Sequence, residues 1–152
     1  MPMFRLSLDS SIIISHLSGD VHQNEVLATI ERLEALKIEL FFPLLCYAEV
    51  WTGIELLREE NRQQGAHEFH RILQASKIKL VSDNVAIARD AARAQAAYRR
   101  RGGRREALIP DFLIGANAVH YSGRLLTTNP RDFSKDFPRL EVLTPKAFLE
   151  KY

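Results

Sequence analysis

The 152 residues carry 46% hydrophobic and 26% charged side chains, the proportions of an ordinary globular chain long enough to enclose a core. Lys and Arg number 21 against 19 Asp and Glu, so the net charge of +2 makes no case for a polyanion partner, which would have to rest on local clustering. The single cysteine, Cys46, excludes an internal disulfide and a cysteine-based zinc site. No apolar run reaches the length of a bilayer, and Asp9 interrupts the only apolar stretch near the amino end, so the expectation is a cytoplasmic protein without a secretory signal, one domain over residues 1–152.

Phe4 to Leu8 reads as a short strand. The apolar run continues through Ile12-Ile13-Ile14, too long for one strand crossed by an acid, which places a strand-to-helix turn at Asp9. Asp9 there is a good helix cap, and equally a carboxylate just past the carboxyl end of an inner strand, where open α/β sheets bind ligands. Asn24 is expected to cap a helix to about Lys37, with Val26, Leu27, Ile30, Leu33 and Leu36 as its stripe. Glu39 to Phe42 is a second strand closed by Pro43. A long helix then runs to about Glu60, burying Tyr47, Val50, Trp51, Ile54 and Leu57. Glu49 falls at the edge of that face, beside Cys46 and Gly53.

A further helix covers Asn61 to Ser76, and Ile78 to Val81 is a third strand. Ser82 or Asp83 is expected to cap an alanine-rich helix to about Arg100. Arg99, Arg100, Arg101, Arg104 and Arg105, broken by Gly102-Gly103, concentrate positive charge and lead into Ile109-Pro110-Asp111-Phe112-Leu113-Ile114-Gly115-Ala116-Asn117-Ala118. Pro110 suits a first helical turn, which puts Asp111 near the positive end of the helix dipole. Gly115 and Ala118 share a face with Asp111 and are expected to leave space above its carboxylate. Gly123 ends this helix; Leu125 to Thr127 and Val142-Leu143 are the last strands; Thr144-Pro145 opens a terminal helix. Strands alternate with helices almost throughout, which argues for a parallel sheet of four to five short strands covered on both faces.

Four acids therefore take comparable positions: Asp9 after the first strand, Glu49 on a helix edge, Asp111 at a helix start and Asp132 after the late strand. Clustered carboxylates repel one another, and burial sharpens the repulsion. With no cysteine set and no paired-histidine motif, hard oxygen ligands favour Mg²⁺ or Mn²⁺, which can hold phosphate oxygens and activate water. Ser11, Thr127 and Asn129 are placed to orient carboxylates or waters.

The ordered set Leu8-Asp9-Ser10-Ser11, Ala48-Glu49-Val50, Ile109-Pro110-Asp111-Phe112-Leu113-Ile114-Gly115-Ala116 and Leu126-Thr127-Thr128-Asn129-Pro130-Arg131-Asp132-Phe133 resembles the PIN domain, and within it the VapC-type toxins of bacterial toxin–antitoxin pairs. The resemblance implies an α/β/α sandwich and a metal-dependent endoribonuclease cutting an RNA such as tRNA or rRNA. It carries a metal-site role to Asp9, Glu49 and Asp111 and a supporting role to Ser11 and Thr127. Many relatives have Asp where this chain has Asn129, so the fourth carboxylate is either replaced by Asp132 or missing. The resemblance also implies a homodimer and a small antitoxin partner. A partner helix is expected in a groove between the helices at 24–37 and 43–60, one of its basic side chains reaching the acids. The arginines at 99–105 are read either as RNA-phosphate contacts or as a solvated loop.

A haloacid-dehalogenase-like phosphatase needs a second Asp two residues after Asp9, where this chain has Ser11. A degenerate binding module that holds RNA or a protein without cutting is the alternative from another class; Asp9, Glu49 and Asp111 count against it. His16, His22, His67, His70 and His120 show no metal spacing; His67 and His70, three apart on a helix without a third ligand, are read as surface residues, and Tyr98 beside the arginines reads as a half-buried aromatic rather than a base-stacking one.

Overall fold

The computed structural model describes residues 4–104 and 109–152. Strand β1 (Arg5–Leu8) lies at the middle of the sheet, with Leu6, Ser7 and Leu8 all buried, as befits a strand covered on both faces. Helices α1 (Ser10–Ser18) and α2 (Gln23–Ala35) lead to β2 (Glu39–Pro43), which pairs parallel to one edge of β1. Helices α3 (Leu44–Glu55) and α4 (Glu59–Ala75) lead to β3 (Lys79–Val81), parallel to β2. The chain then crosses back through α5 (Val85–Arg100) and α6 (Ile109–Tyr121) to β4 (Arg124–Leu126), on the other edge of β1. The short α7 (Arg131–Ser134), β5 (Glu141–Leu143) and α8 (Pro145–Lys151) complete it. The strand order is β3-β2-β1-β4-β5, all parallel and flanked by helices, the expected α/β arrangement with five strands. Because the order reverses at β1, the carboxyl ends of β1 and β4 border a topological switch point, where such sheets open a crevice.

Several boundaries differ from expectation, for reasons of packing. The helix expected from Pro43 to Glu60 is two helices. A turn at Leu56–Arg58 folds α4 back on α3, so that Ile54, Phe69 and Ile72 join one core. Leu57, expected inside, is therefore exposed. Helix α2 begins one residue before Asn24, with His22 at the cap position, and Asn84 rather than Ser82 or Asp83 caps α5, its Oδ1 accepting from Ile87 N at 2.9 Å. Thr144 caps α8 as read, accepting from Ala147 N at 3.1 Å.

The groove expected between α2 and α3 is not formed, because α1 emerges from the central strand and packs against both. Leu33 and Ile54, thought available to a partner, are in the core, and Leu36 and Trp51 are half-buried. Trp51 stacks against both Tyr47 and His70, which also touch each other. Only Leu27 of that set is exposed. An apolar groove of about 140 Å³ lies instead between α1, α3 and α4, lined by Ile14, Leu17, Val50, Ile54 and Leu57. No helix among the described residues is long and apolar enough to cross a membrane.

Candidate metal centre

The hydrogen-bond ladder itself brings the first functional pair together. Asp9 N donates to Leu126 O at 2.9 Å, continuing the β1–β4 register, so Asp9 and Thr127 leave neighbouring strands side by side. Asp9 stands at the N-cap position of α1, yet its side chain makes no capping hydrogen bond. Its carboxylate turns instead to the sheet rim. Thr127 Oγ1 donates to Asp9 Oδ2 at 2.8 Å and Ser11 Oγ donates to the same oxygen at 2.9 Å. Each hydroxyl has one hydrogen, so each accepts from the backbone: Thr128 N reaches Ser11 Oγ and Asn129 N reaches Thr127 Oγ1, both at 3.0 Å. Both hydroxyls are thus fixed as donors to one oxygen of Asp9. The other, Oδ1, meets the weak Cys46 Sγ donor at 4.0 Å.

Glu49 reaches the same place from α3, held by Ser10 Oγ, which donates to Glu49 Oε1 at 3.0 Å. Oxygen or sulfur atoms of Asp9, Cys46 and Glu49 all lie within 4.8 Å of one another. Asp111, in the first turn of α6, faces this group across a cleft of about 340 Å³. Asp132, Asn129 and Ser11 line the same cleft, so the acids drawn from four separate stretches of sequence converge on it. Asp132 and Asn129 are both exposed at its mouth, whereas Asp9 is buried.

The electrostatics are those of mutual repulsion. Burial pushes the Asp111 carboxyl up to about 6, and the charges of Asp132, Asp9 and Glu49 add to it. Burial also raises Asp9, against the pull of the Thr127 and Ser11 hydrogen bonds. Glu49 is raised by burial, opposed by the Ser10 hydrogen bond and reinforced by Asp9. Burial, then the charges of Asp9 and Glu49, hold Cys46 well above the usual thiol range, so it stays a protonated thiol rather than a thiolate ligand. Among the described residues no lysine or arginine forms a salt bridge with any of the four acids. Oxygen donors in a partly buried cleft, without a lysine or arginine among its described lining, fit a hard divalent ion.

Other sequence expectations fall elsewhere. Gly115 does not leave space above Asp111: the ring of Phe137 fills the position, and any Cβ at Gly115 would collide with it. The small residues of α6 admit this ring and neighbouring core rather than a ligand, and Ala118 is fully buried. Of the arginines, Arg99 and Arg100 end α5 and Arg101 follows it; Arg101 pairs with Asp136 and stands 5.9 Å over the Tyr98 ring. Tyr98 is half-buried against Phe112. Among the described residues no arginine lines the cleft, and Arg105 lies outside the described residues. Sequence reasoning missed Ser10, Cys46, Asp20 and His22 at this site. Ser10 and Cys46 carried a signal, one beside Asp9 and the other beside Glu49 on the helix; the α1–α2 turn that brings Asp20 and His22 to the rim is a tertiary matter.

The PIN domain family model matches residues 6–137. The chain belongs to the PIN domain family. No curated protein matches the sequence. Among solved structures this PIN domain is similar to one of VapBC2 from Rickettsia felis bound to a promoter DNA fragment, at 15% identity and a TM-score of 0.74 over 93% of this chain and 98% of that one. It is also similar to FitAcB from Neisseria gonorrhoeae, at 19% identity, TM-score 0.67, over 93% and 98% of the two chains. A toxin–antitoxin complex from Klebsiella pneumoniae matches at 23% identity, TM-score 0.62, over 92% and 97%. At these identities the likeness is one of fold.

Proposed function

We propose that this PIN domain, a single domain over the whole chain, is a Mg²⁺- or Mn²⁺-dependent endoribonuclease of VapC type, the toxin of a cytoplasmic toxin–antitoxin pair. The observation that carries the reading is the convergence of Asp9, Glu49 and Asp111 on one cleft, their carboxyls all pushed above the usual range and without a lysine or arginine partner among the described residues. These three carboxylates would hold the ion, and Asp132 would extend the site at its mouth. Such an ion supplies charge for phosphate oxygens and a bound water acidic enough to attack phosphorus. The chain's own contribution is orientation: Ser11 and Thr127 lock Asp9 Oδ2 and leave Oδ1 free of both hydroxyls, available to an ion. Asn129 offers a backbone N–H to Thr127 and an amide at the cleft mouth. Arg99, Arg100, Arg101, Arg104 and Arg105 would contact RNA phosphates at its edge. Neutralising two of them should then flatten the slope of log affinity against log salt.

The solved structures of similar fold include toxin–antitoxin complexes, which supports a small antitoxin partner here. The apolar groove between α1, α3 and α4 shares Ile14 with the acid cleft. A partner helix seated there would have a basic side chain within reach of the carboxylates and would compete with the ion.

The test is cleavage of a labelled single-stranded RNA by the purified protein. Cleavage should appear with Mg²⁺ or Mn²⁺ and vanish in EDTA. Asp111→Asn, which keeps shape and removes ligand charge, should lower it by roughly 100-fold or more. The same change at the exposed Asp132 should cost less. RNA bound but left intact under all these conditions would favour the non-cutting binding module.

A further inference from the structure

The cleft holds one residue whose chemistry differs from all its neighbours. Its described lining includes Asp9, Asp20, Glu49, Asp111 and Asp132, and His22 alone among the described lining residues can carry a positive charge. A phosphodiester brought to five carboxylates meets strong repulsion, and a bound divalent ion offsets only part of it.

The backbone of His22 is also held in place. Helix α1 ends at Gly19, in the left-handed conformation (φ 69°) that turns the chain back toward the rim. Ser15, buried in α1, donates its hydroxyl to Asp20 Oδ1, and His22 N donates to the same oxygen at 2.9 Å. Asp20 is thus pinned between the helix behind it and the residue after it, and Ser15 and His22 hold its carboxyl below the usual range. Val26 N closes on His22 O at 2.9 Å, which sets His22 as the first residue bordering α2. The imidazole makes no capping bond to α2, so the side chain does not serve the helix start.

We infer that His22 is a substrate-contacting residue, donating a ring N–H to a phosphate oxygen of RNA bound across the acid cleft. The inference rests on the ribonuclease reading for its substrate class. A ring N–H donates to phosphate more strongly from a charged imidazole than from a neutral one, so the contact strengthens as pH falls. Asp20 on its own turn, and Asp9, Glu49, Asp111 and Asp132, line the same cleft as His22. Because those carboxylates titrate too, the signature is the difference between the native protein and variants at His22, not the profile of either alone.

The experiment is fluorescence anisotropy of a labelled single-stranded RNA with Ca²⁺ present to neutralise the carboxylates, at pH 5.5 and pH 8. His22→Gln should bind roughly 10-fold more weakly than the native protein at pH 5.5 and nearly equally at pH 8. His22→Arg, cationic at both, should restore tight binding at both. In cleavage assays at the lower pH, His22→Gln should raise KM with little change in kcat. Equal affinities of native and His22→Gln proteins at both pH values, or no RNA binding at all, would overturn the inference. A native protein that binds RNA but leaves it intact with Mg²⁺ and Mn²⁺ overturns the ribonuclease reading alone, since the binding measurement still reads His22.

Discussion

Asp9 shows how much of this site is decided atom by atom. One oxygen takes both hydroxyl hydrogens, from Ser11 and Thr127, and the other faces the buried thiol of Cys46. Thr127→Val keeps the buried volume but removes one donor and leaves Asn129 N without its acceptor. Metal affinity, read by Mn²⁺ titration calorimetry, should fall by about 10–100-fold, as for other residues that orient a ligand. The same cluster sets a pH dependence of stability. Folding raises Asp111 from 3.8 to about 6, so between these values the native state holds a proton that the unfolded chain has lost. Stability of the metal-free protein should therefore be greatest below about pH 4 for this group and should decline as pH rises through about 6; Asp9 and Glu49 act in the same direction. Thermal melts in EDTA from pH 4 to 7.5 check the sign. Mn²⁺ at 100 times its dissociation constant should restore about 2.7 kcal/mol at neutral pH. Asp111→Asn should melt higher than the native protein in EDTA at pH 7.5, while losing its activity.

At the scale of elements, α6 does two jobs that its sequence made look like one. Its first turn presents Asp111 to the cleft, and its small residues let other parts of the chain come close. Gly115 receives the Phe137 ring, and that ring also meets Phe112 at 6.5 Å. Gly115→Ala should cost about 1–3 kcal/mol in a denaturant melt, because an added methyl there overpacks a buried contact. The periodicity of α6 correctly put Asp111 and Gly115 on one side, but periodicity carries no information on which distant residue arrives there. The break between α3 and α4 has the same origin. Each half has an apolar face, and nothing local marks Leu56–Arg58 as the place to turn except that the two faces can then meet. Caps were misplaced by one or two residues where several good candidates stand together, as Ser82, Asp83 and Asn84 do. Tertiary contacts choose among them: Asp83 is bound instead by Asn117 Nδ2 at 2.8 Å, and Asn84 is left to cap α5.

At the scale of the molecule, the chain winds outward from β1 to β3 and returns to β4, and that reversal opens the crevice in which the acids meet. Exposed apolar groups lie away from the crevice as well as beside it, among them Leu44, Leu80 and Val85. A second copy covering such groups would give the homodimer that the family resemblance implies, and sedimentation at micromolar concentration should show twice the monomer mass. Co-expression with a neighbouring small reading frame should yield a complex without ribonuclease activity. A Leu57→Asp or Ile14→Asp charge in the apolar groove should release the partner and spare the dimer. The sequence by itself determined the α/β class, the parallel alternation and the four acidic stretches, because hydrophobic period, turn residues and strand-end acids are local properties. What only the tertiary structure decided was which oxygen of Asp9 is locked, that α1 occupies the space between α2 and α3, that Phe137 fills the gap at Gly115, and that Asp20 and His22 border the cleft. Each depends on residues far apart in the chain being brought within a few ångströms, a choice made by packing the whole core at once and not by any one segment.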